Sequence, residues 1–216
     1  MVNIKNYEKI IAELLPYKAT LVAVSKTKSS DDIKLLLNHG QKVFGENYVQ
    51  ELLEKHEILP NAEWHFIGHL QSNKVKFLAS FINLIHGIDS IQLLKEINKE
   101  AHKSNRILDC LLQIHIAKEE TKFGFSFEEA DLLINSDELK ELKNISVKGF
   151  MGMATATEDK KLIRNEFCSL QRFFEKYKST DFLILSMGMT SDYKIALEEG
   201  STMVRIGSAI FGERIN

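Results

Sequence analysis

Short apolar segments alternate with stretches of helical periodicity eight times along this 216-residue chain. That alternation constrains the fold more than any other feature. The strand-like segments are 20–25, 42–46, 63–68, 83–88, 107–116, 145–151, 182–187 and 202–206. Several are dense in β-branched or aromatic residues and end at Gly, Asn, Asp or Ser, as buried strands do. Between them, 31–39 carries Ile33, Leu36 and Leu37 on one face, and 91–103 carries Leu94, Ile97 and Ala101. The stretch 162–177 lines up Leu170, Phe173, Phe174 and Tyr177. Asp31 and Ser90 stand where N-caps are expected, and Gly40 and Gly200 where helices stop. Repeated strand–helix alternation predicts a parallel sheet, and eight units in one domain-sized chain fit a closed (β/α)8 TIM-type barrel better than an open sheet. No linker, repeat or low-complexity stretch interrupts it, so residues 1–216 are read as a single domain. An extra amphipathic helix precedes it, with Ile4, Tyr7, Ile10, Ile11, Leu14 and Leu15 on one side.

Composition narrows the partners. A hydrophobic fraction of 44% against 27% charged residues supplies a large core. The net charge of −2, without a basic run interleaved with aromatics, excludes nucleic acid as principal ligand. Cys110 and Cys168 stand far apart and form no C-x-x-C pair, which fits a reducing compartment. Neither a signal peptide nor a membrane-crossing apolar stretch is present, and a cytoplasmic protein is expected.

In such a barrel, function sits at the C-terminal ends of the strands, and the loops after strands seven and eight are the place for a phosphate. There the chain reads Ser186-Met187-Gly188-Met189-Thr190-Ser191-Asp192 and Arg205-Ile206-Gly207-Ser208. Either turn alone is an ordinary strand-to-helix connection. Two small, hydroxyl-bearing turns side by side point to an anion, with the first leading into a helix at 192–199. Strand one ends at Lys26, in Leu21-Val22-Ala23-Val24-Ser25-Lys26-Thr27-Lys28. An amine at a barrel mouth is suited to attack an aldehyde, but a solvated strand-end lysine is the commoner fate, and these residues alone do not choose between Lys26 and Lys28.

Three blocks carry a resemblance: Ala23-Val24-Ser25-Lys26-Thr27-Lys28, Phe44-Gly45-Glu46-Asn47-Tyr48-Val49-Gln50-Glu51, and Trp64-His65-Phe66-Ile67-Gly68-His69-Leu70-Gln71-Ser72-Asn73-Lys74. With Glu120-Thr121-Lys122-Phe123-Gly124, Ser186-Met187-Gly188-Met189 and Arg205-Ile206-Gly207-Ser208-Ala209-Ile210-Phe211-Gly212, the chain closely resembles the pyridoxal 5′-phosphate (PLP) homeostasis protein family, also called YggS-like or proline synthetase co-transcribed proteins. The resemblance runs over nearly the whole chain in the right order. It implies a barrel like the N-terminal domain of alanine racemase, PLP as cofactor, and Lys26 rather than Lys28 as the Schiff-base lysine. It places phosphate contacts on Ser186, Gly188, Met189, Thr190, Gly207 and Ser208, and Arg205 against the pyridine nitrogen. Asn47 is expected near the cofactor, or alternatively as N-cap of a helix over 48–56, and Met151 is expected to line the pocket. Thr190 and Ser208 replace the family's commoner Ser and Thr, each keeping a hydroxyl. Ser29 replaces a usual proline, which leaves the first loop less stiff.

Other constellations are set aside. His65 and His69 are four apart, but on a strand followed by Gly68 they lack the helical geometry of paired zinc ligands. No Ser-His-Asp order, Walker loop or dinucleotide fingerprint is present, and no metal site is expected. The expected function is reversible binding and buffering or delivery of PLP, affecting amino-acid and keto-acid metabolism, by a monomer without catalytic activity and with apo PLP enzymes as recipients. The alternative is a racemase-like PLP enzyme. Racemases that share this barrel carry a second, β-rich domain supplying a tyrosine base, whereas this sequence stops at Phe211-Gly212-Glu213-Arg214-Ile215-Asn216. An arginine at the ring nitrogen also makes a poorer electron sink than an aspartate.

Overall fold

A computed structural model describes residues 2–119 and 121–212. Glu120 of the Glu-Thr-Lys-Phe-Gly motif and tail residues 213–216 lie outside them. Eight parallel strands close into a barrel in sequence order: β1 (Thr20–Val24), β2 (Val43–Glu46), β3 (Glu63–Phe66), β4 (Leu84–Ile88), β5 (Leu108–Ile114), β6 (Ile145–Gly152), β7 (Ile184–Met189) and β8 (Met203–Ile206). Each falls within about two residues of its expected place, because β-branched and aromatic runs bounded by turn residues have few alternatives. The barrel closes where β1 pairs with β8, Leu21 opposite Val204 and Val22 opposite Arg205.

Helices wrap the outside: α1 (Ile4–Leu14), α2 (Ser30–Asn38), α3 (Val49–Ile58), α4 (Val75–Leu78), α5 (Ile91–Lys103), α6 (Phe127–Asn135), α7 (Asp137–Lys140), α8 (Lys160–Glu175), α9 (Tyr193–Glu198) and α10 (Ser208–Phe211). None is long and apolar enough to cross a membrane. The stripe of α8 buries Ile163, Phe167, Leu170 and Phe174 against the sheet, each such side chain contributing about 1.5–3 kcal/mol. Ser90 caps α5 as expected, accepting from the Leu93 N–H. The cap of α2 is Ser29 and not Asp31: the Ser29 hydroxyl accepts from the Asp32 N–H at 3.2 Å. Asp31 lies inside the first turn, where its charge suits the helix dipole. Gly40 and Gly200 end their helices with φ of +91° and +87°.

The extra helix α1 buttresses the end of the chain. The Asn3 N–H donates to the Ile210 carbonyl at 2.8 Å, and the Asn6 side chain donates to the Ala209 carbonyl at 2.6 Å. Glu13 accepts from the Tyr193 hydroxyl and from Lys194. Both connections after β7 and β8 are thus tied to α1.

Inside the barrel, Val22, Leu84, Leu111, Met151 and Met203 form an apolar layer distinct from the main core between sheet and helices. A buried polar chain also lies in the interior. Arg205 donates to the Ser186 hydroxyl at 2.7 Å, Ser186 lies 3.2 Å from His86 Nδ1, and His86 Nε2 lies 3.1 Å from His65 Nδ1. A guanidinium only donates, so the Ser186 hydroxyl accepts from it and links Arg205 to the His86 ring. Burial pulls His65 down to about 3 and holds His86 well below its ordinary value, the latter also repelled by the positive charge of Arg205.

These neutral imidazoles set a pH dependence. Below about pH 6.5 the unfolded chain binds protons that the folded histidines refuse, so stability falls as pH falls, until the folded His65 itself titrates near 3. Between pH 6.5 and 4.5 the wild type should lose about 2–3 kcal/mol more than His65→Gln, read from urea midpoints. Equal losses in the two proteins would show that His65 does not resist protonation.

Candidate functional site

A cavity of about 520 Å³ opens at the C-terminal mouth of the barrel, lined by Lys26, Asn47, Arg205, Gly207 and Ser208 together with Met153, Met189 and Thr190. The fold delivers these residues from distant parts of the sequence because every strand ends at this face. Lys26 follows β1, Asn47 follows β2, Arg205 sits within β8, and the two small turns follow β7 and β8. Lys28 also lines the cavity, and its ammonium donates to the Gly212 carbonyl at 3.1 Å.

The turns meet. Ser208 Oγ lies 3.3 Å from Thr190 Oγ1, so the two hydroxyls expected to share an anion are neighbours. The first turn is braced by Asp192, whose carboxylate accepts from the Met189 N–H at 2.6 Å. Burial raises that carboxyl above its ordinary range, while the bond from Met189 and the charge of Arg205 oppose the rise.

Arg205 is 4% exposed, and its described acceptors are neutral: the Ser186 carbonyl, the Ser186 hydroxyl and the Gly152 carbonyl. No rim carboxylate forms an ion pair with it among the described residues. Burial lowers its pKa to about 10, against the pull of Asp192, so it remains a cation at neutral pH. A fixed positive charge with neutral partners favours an anionic ligand beside it.

Asn47 contributes an unexpected observation. It does not cap α3, whose N-cap is Tyr48 without a side-chain bond. The Asn47 Oδ1 atom is buried and has no hydrogen-bond partner among the described residues. Such an orphan costs about 1–3 kcal/mol unless a ligand or water satisfies it.

Three expected residues stand behind the wall. Met151 is buried in the interior apolar layer, and Met153, on the same face of the chain but one step nearer the mouth, lines the cavity instead. A strand's period of two predicts that shift once the depth of the barrel is known. Ser186 is fully buried and holds Arg205, so its hydroxyl is already engaged beneath the cavity. Gly188, with φ +96°, faces α9: a Cβ there would stand 2.6 Å from the Ala196 Cβ and 2.9 Å from the Tyr193 Cα. It lets the turn pack on the helix and does not itself line the cavity. Conversely, sequence reasoning missed Met153 and His86, since an apolar strand with one histidine carries no periodic signal. His65 hydrogen-bonds His86, and His69 lies 3.2 Å from Asp89. Among the described residues no cluster of three or more His, Cys, Asp or Glu is placed to hold a metal.

A second cluster lies directly behind Lys26. Lys55 Nζ donates to the Ser25 carbonyl, Glu46 and Glu51 at 2.6–2.7 Å, and the Ser25 hydroxyl donates to Glu46 at 2.6 Å. Burial raises the Glu46 carboxyl above its ordinary range, with Lys55 and Ser25 opposing.

Comparisons with known proteins agree with this fold. Residues 3–215 match the family model for the N-terminal domain of alanine racemase. The pyridoxal phosphate homeostasis protein of Aquifex aeolicus is 41% identical over 201 residues, covering 91% of this chain and 87% of that protein. Its Synechocystis namesake is 36% identical over 215 residues and covers 97% of each. Among solved structures, PipY of Synechococcus elongatus with PLP bound superposes with a TM-score of 0.86 at 28% identity, covering 96% of this chain and 99% of that one. An alanine racemase of Clostridium difficile shares the fold, with a TM-score of 0.75 at 14% identity; this chain spans 57% of it. The chain therefore belongs to the alanine racemase N-terminal domain family and, within it, to the pyridoxal phosphate homeostasis proteins.

Proposed function

We propose that this protein binds PLP, holds it as a Schiff base on Lys26, and serves PLP homeostasis by buffering the cofactor or delivering it to apo PLP enzymes. The observation that carries the reading is convergence: a primary amine, a pair of hydroxyl-bearing turns and a buried cation share one cavity. PLP presents an aldehyde, a dianionic phosphate and a pyridine nitrogen, and each finds a chemically matched group here. The orphaned Asn47 oxygen adds a site for a polar ligand atom. When bound, the cofactor would supply an electrophilic aldehyde, and the Lys26 amine is the group that would hold it.

The protein's own groups favour holding over turnover. Arg205 keeps its protons and is anchored by three neutral acceptors, so it can donate a hydrogen bond to the ring nitrogen but cannot deliver a proton to it. The Ser186–His86–His65 chain behind it consists of neutral groups. Thr190 Oγ1 and Ser208 Oγ, with the Gly207 backbone, would take the phosphate. A racemase-like reaction would need a ring able to accept electrons and an acid on the opposite face, and the described cavity lining contains no tyrosine to act as that acid.

Three outcomes are expected. Protein purified with PLP should be yellow, and borohydride reduction should fix the pyridoxyl group on the peptide containing Lys26; an adduct on Lys28 or Lys122 overturns the assignment. Pyridoxal lacking the phosphate should bind about a hundredfold more weakly or worse, since charge-assisted hydrogen bonds of about 1.5–3 kcal/mol each are lost. Equal affinities for the two compounds would remove the turns from the site. Finally, alanine and serine incubated in deuterated water with the loaded protein should show negligible α-proton exchange by NMR. Exchange at ordinary enzyme rates, abolished by Lys26→Ala, would instead establish the racemase-like reading.

A further inference from the structure

The bend that carries Lys26 off β1 is a tight turn. The Lys28 N–H donates to the Ser25 carbonyl at 3.0 Å, so Lys26 and Thr27 are its two central residues. Thr27 has φ +64°. A positive φ at the third position is the mark of a type II turn, where glycine is the ordinary occupant, and it is an outlier for a β-branched residue. Strain of this kind persists only where the surroundings over-determine it.

The surroundings do so here. Glu51 Oε1 accepts from the Thr27 N–H at 2.5 Å and from Lys55 at 2.6 Å. Lys55, 5% exposed, also donates to the Ser25 carbonyl and to Glu46, and Glu46 accepts the Ser25 hydroxyl. The Ser25 N–H extends the sheet by donating to the Gly45 carbonyl at 3.0 Å. Both neighbours of Lys26 are therefore fixed by one buried ion cluster reaching out from α3 and β2, a cluster with no part in lining the cavity.

We propose that Glu51, Lys55 and Glu46 are positioning residues: they hold Thr27 in its left-handed conformation and so preset Lys26 for attack on an aldehyde. The inference rests on Lys26 being the attachment point and adds what orients it. In the ligand-free protein, hydrogen exchange at the Thr27 amide should be slow in the wild type and clearly faster in Glu51→Ala. Glu51 is partly exposed, its side chain at 23%, so the fold should tolerate its loss.

On adding PLP, Glu51→Ala should gain the visible absorbance of the bound cofactor about tenfold more slowly than the wild type. Glu51→Gln, which keeps an acceptor oxygen, should recover most of that rate, and so should Thr27→Gly introduced into Glu51→Ala, because glycine adopts the turn without restraint. Wild-type kinetics in Glu51→Ala, or no recovery by Thr27→Gly, overturns the proposal. Thr27→Gly alone should melt no lower than the wild type, since relief of strain offsets the entropy glycine loses; a clear drop in Tm would show that no strain is stored and also overturn it. Peptide mapping after borohydride reduction separates the two readings. An adduct away from Lys26 in the wild type defeats the attachment, whereas an adduct on Lys26 with unchanged kinetics in Glu51→Ala defeats only the positioning.

Discussion

Closure of the sheet by the pairing of β1 with β8 is the constraint on which the cavity depends. Thr20 through Ala23 lie in register with Met203 through Ile206. Val22 opposite Arg205 fixes how far up the barrel the guanidinium sits, and Lys26, a few residues beyond, emerges beside Gly207 and Ser208. A slip of one residue would turn the side chains of β8 to the other face and take Arg205 out of the interior. The helices contribute indirectly, burying the outer face of each strand so that this register is the one with a full core.

Closure creates an electrostatic problem inside the barrel, and the solution shapes the site. Arg205 is a buried cation without a direct carboxylate partner among the described residues, an arrangement costing several kcal/mol if its donors were unmet. Carbonyls of Ser186 and Gly152 and the Ser186 hydroxyl meet them, and the neutral histidines behind let the hydroxyl be a pure acceptor toward the cation. The charge is left uncompensated by direct pairing at the cavity wall. Behind Lys26 the opposite arrangement holds: the Lys55 ammonium is surrounded by Glu46, Glu51 and a carbonyl. One buried cation faces the ligand space and the other is spent on holding the backbone.

Much of this was legible in the sequence, for identifiable reasons. Strand–helix alternation is a long-period signal repeated eight times, so local ambiguity averages out. The Thr190 and Ser208 turns and the pair Lys26 and Lys28 were legible as cavity residues because the topology of a barrel says where strand ends go, whereas the preference for Lys26 over Lys28 came from the family resemblance. Legibility failed where side-chain depth or long-range pairing decides the outcome. Met151 and Met153 share a face, and only the height of the barrel says which reaches the cavity. Asn47 has the residue type of a cap, yet the helix begins two residues later. Lys55 falls within the helix expected over 48–56, and nothing local reveals that it is buried against Ser25. Thr27 in a left-handed conformation runs against its own propensity, as expected where tertiary contacts override local preference.

The bonds from α1 to the last turn of the fold bear on how the molecule is made. Asn3 and Asn6 wait for the Ile210 and Ala209 carbonyls, and the first strand waits for the eighth. During synthesis Lys26 leaves the ribosome with the first strand, while Arg205, Gly207 and Ser208 come only with the eighth. A partly made chain thus displays the amine without the hydroxyls and the cation that would retain a ligand around it. The cavity is therefore assembled in one step, when the eighth strand closes on the first.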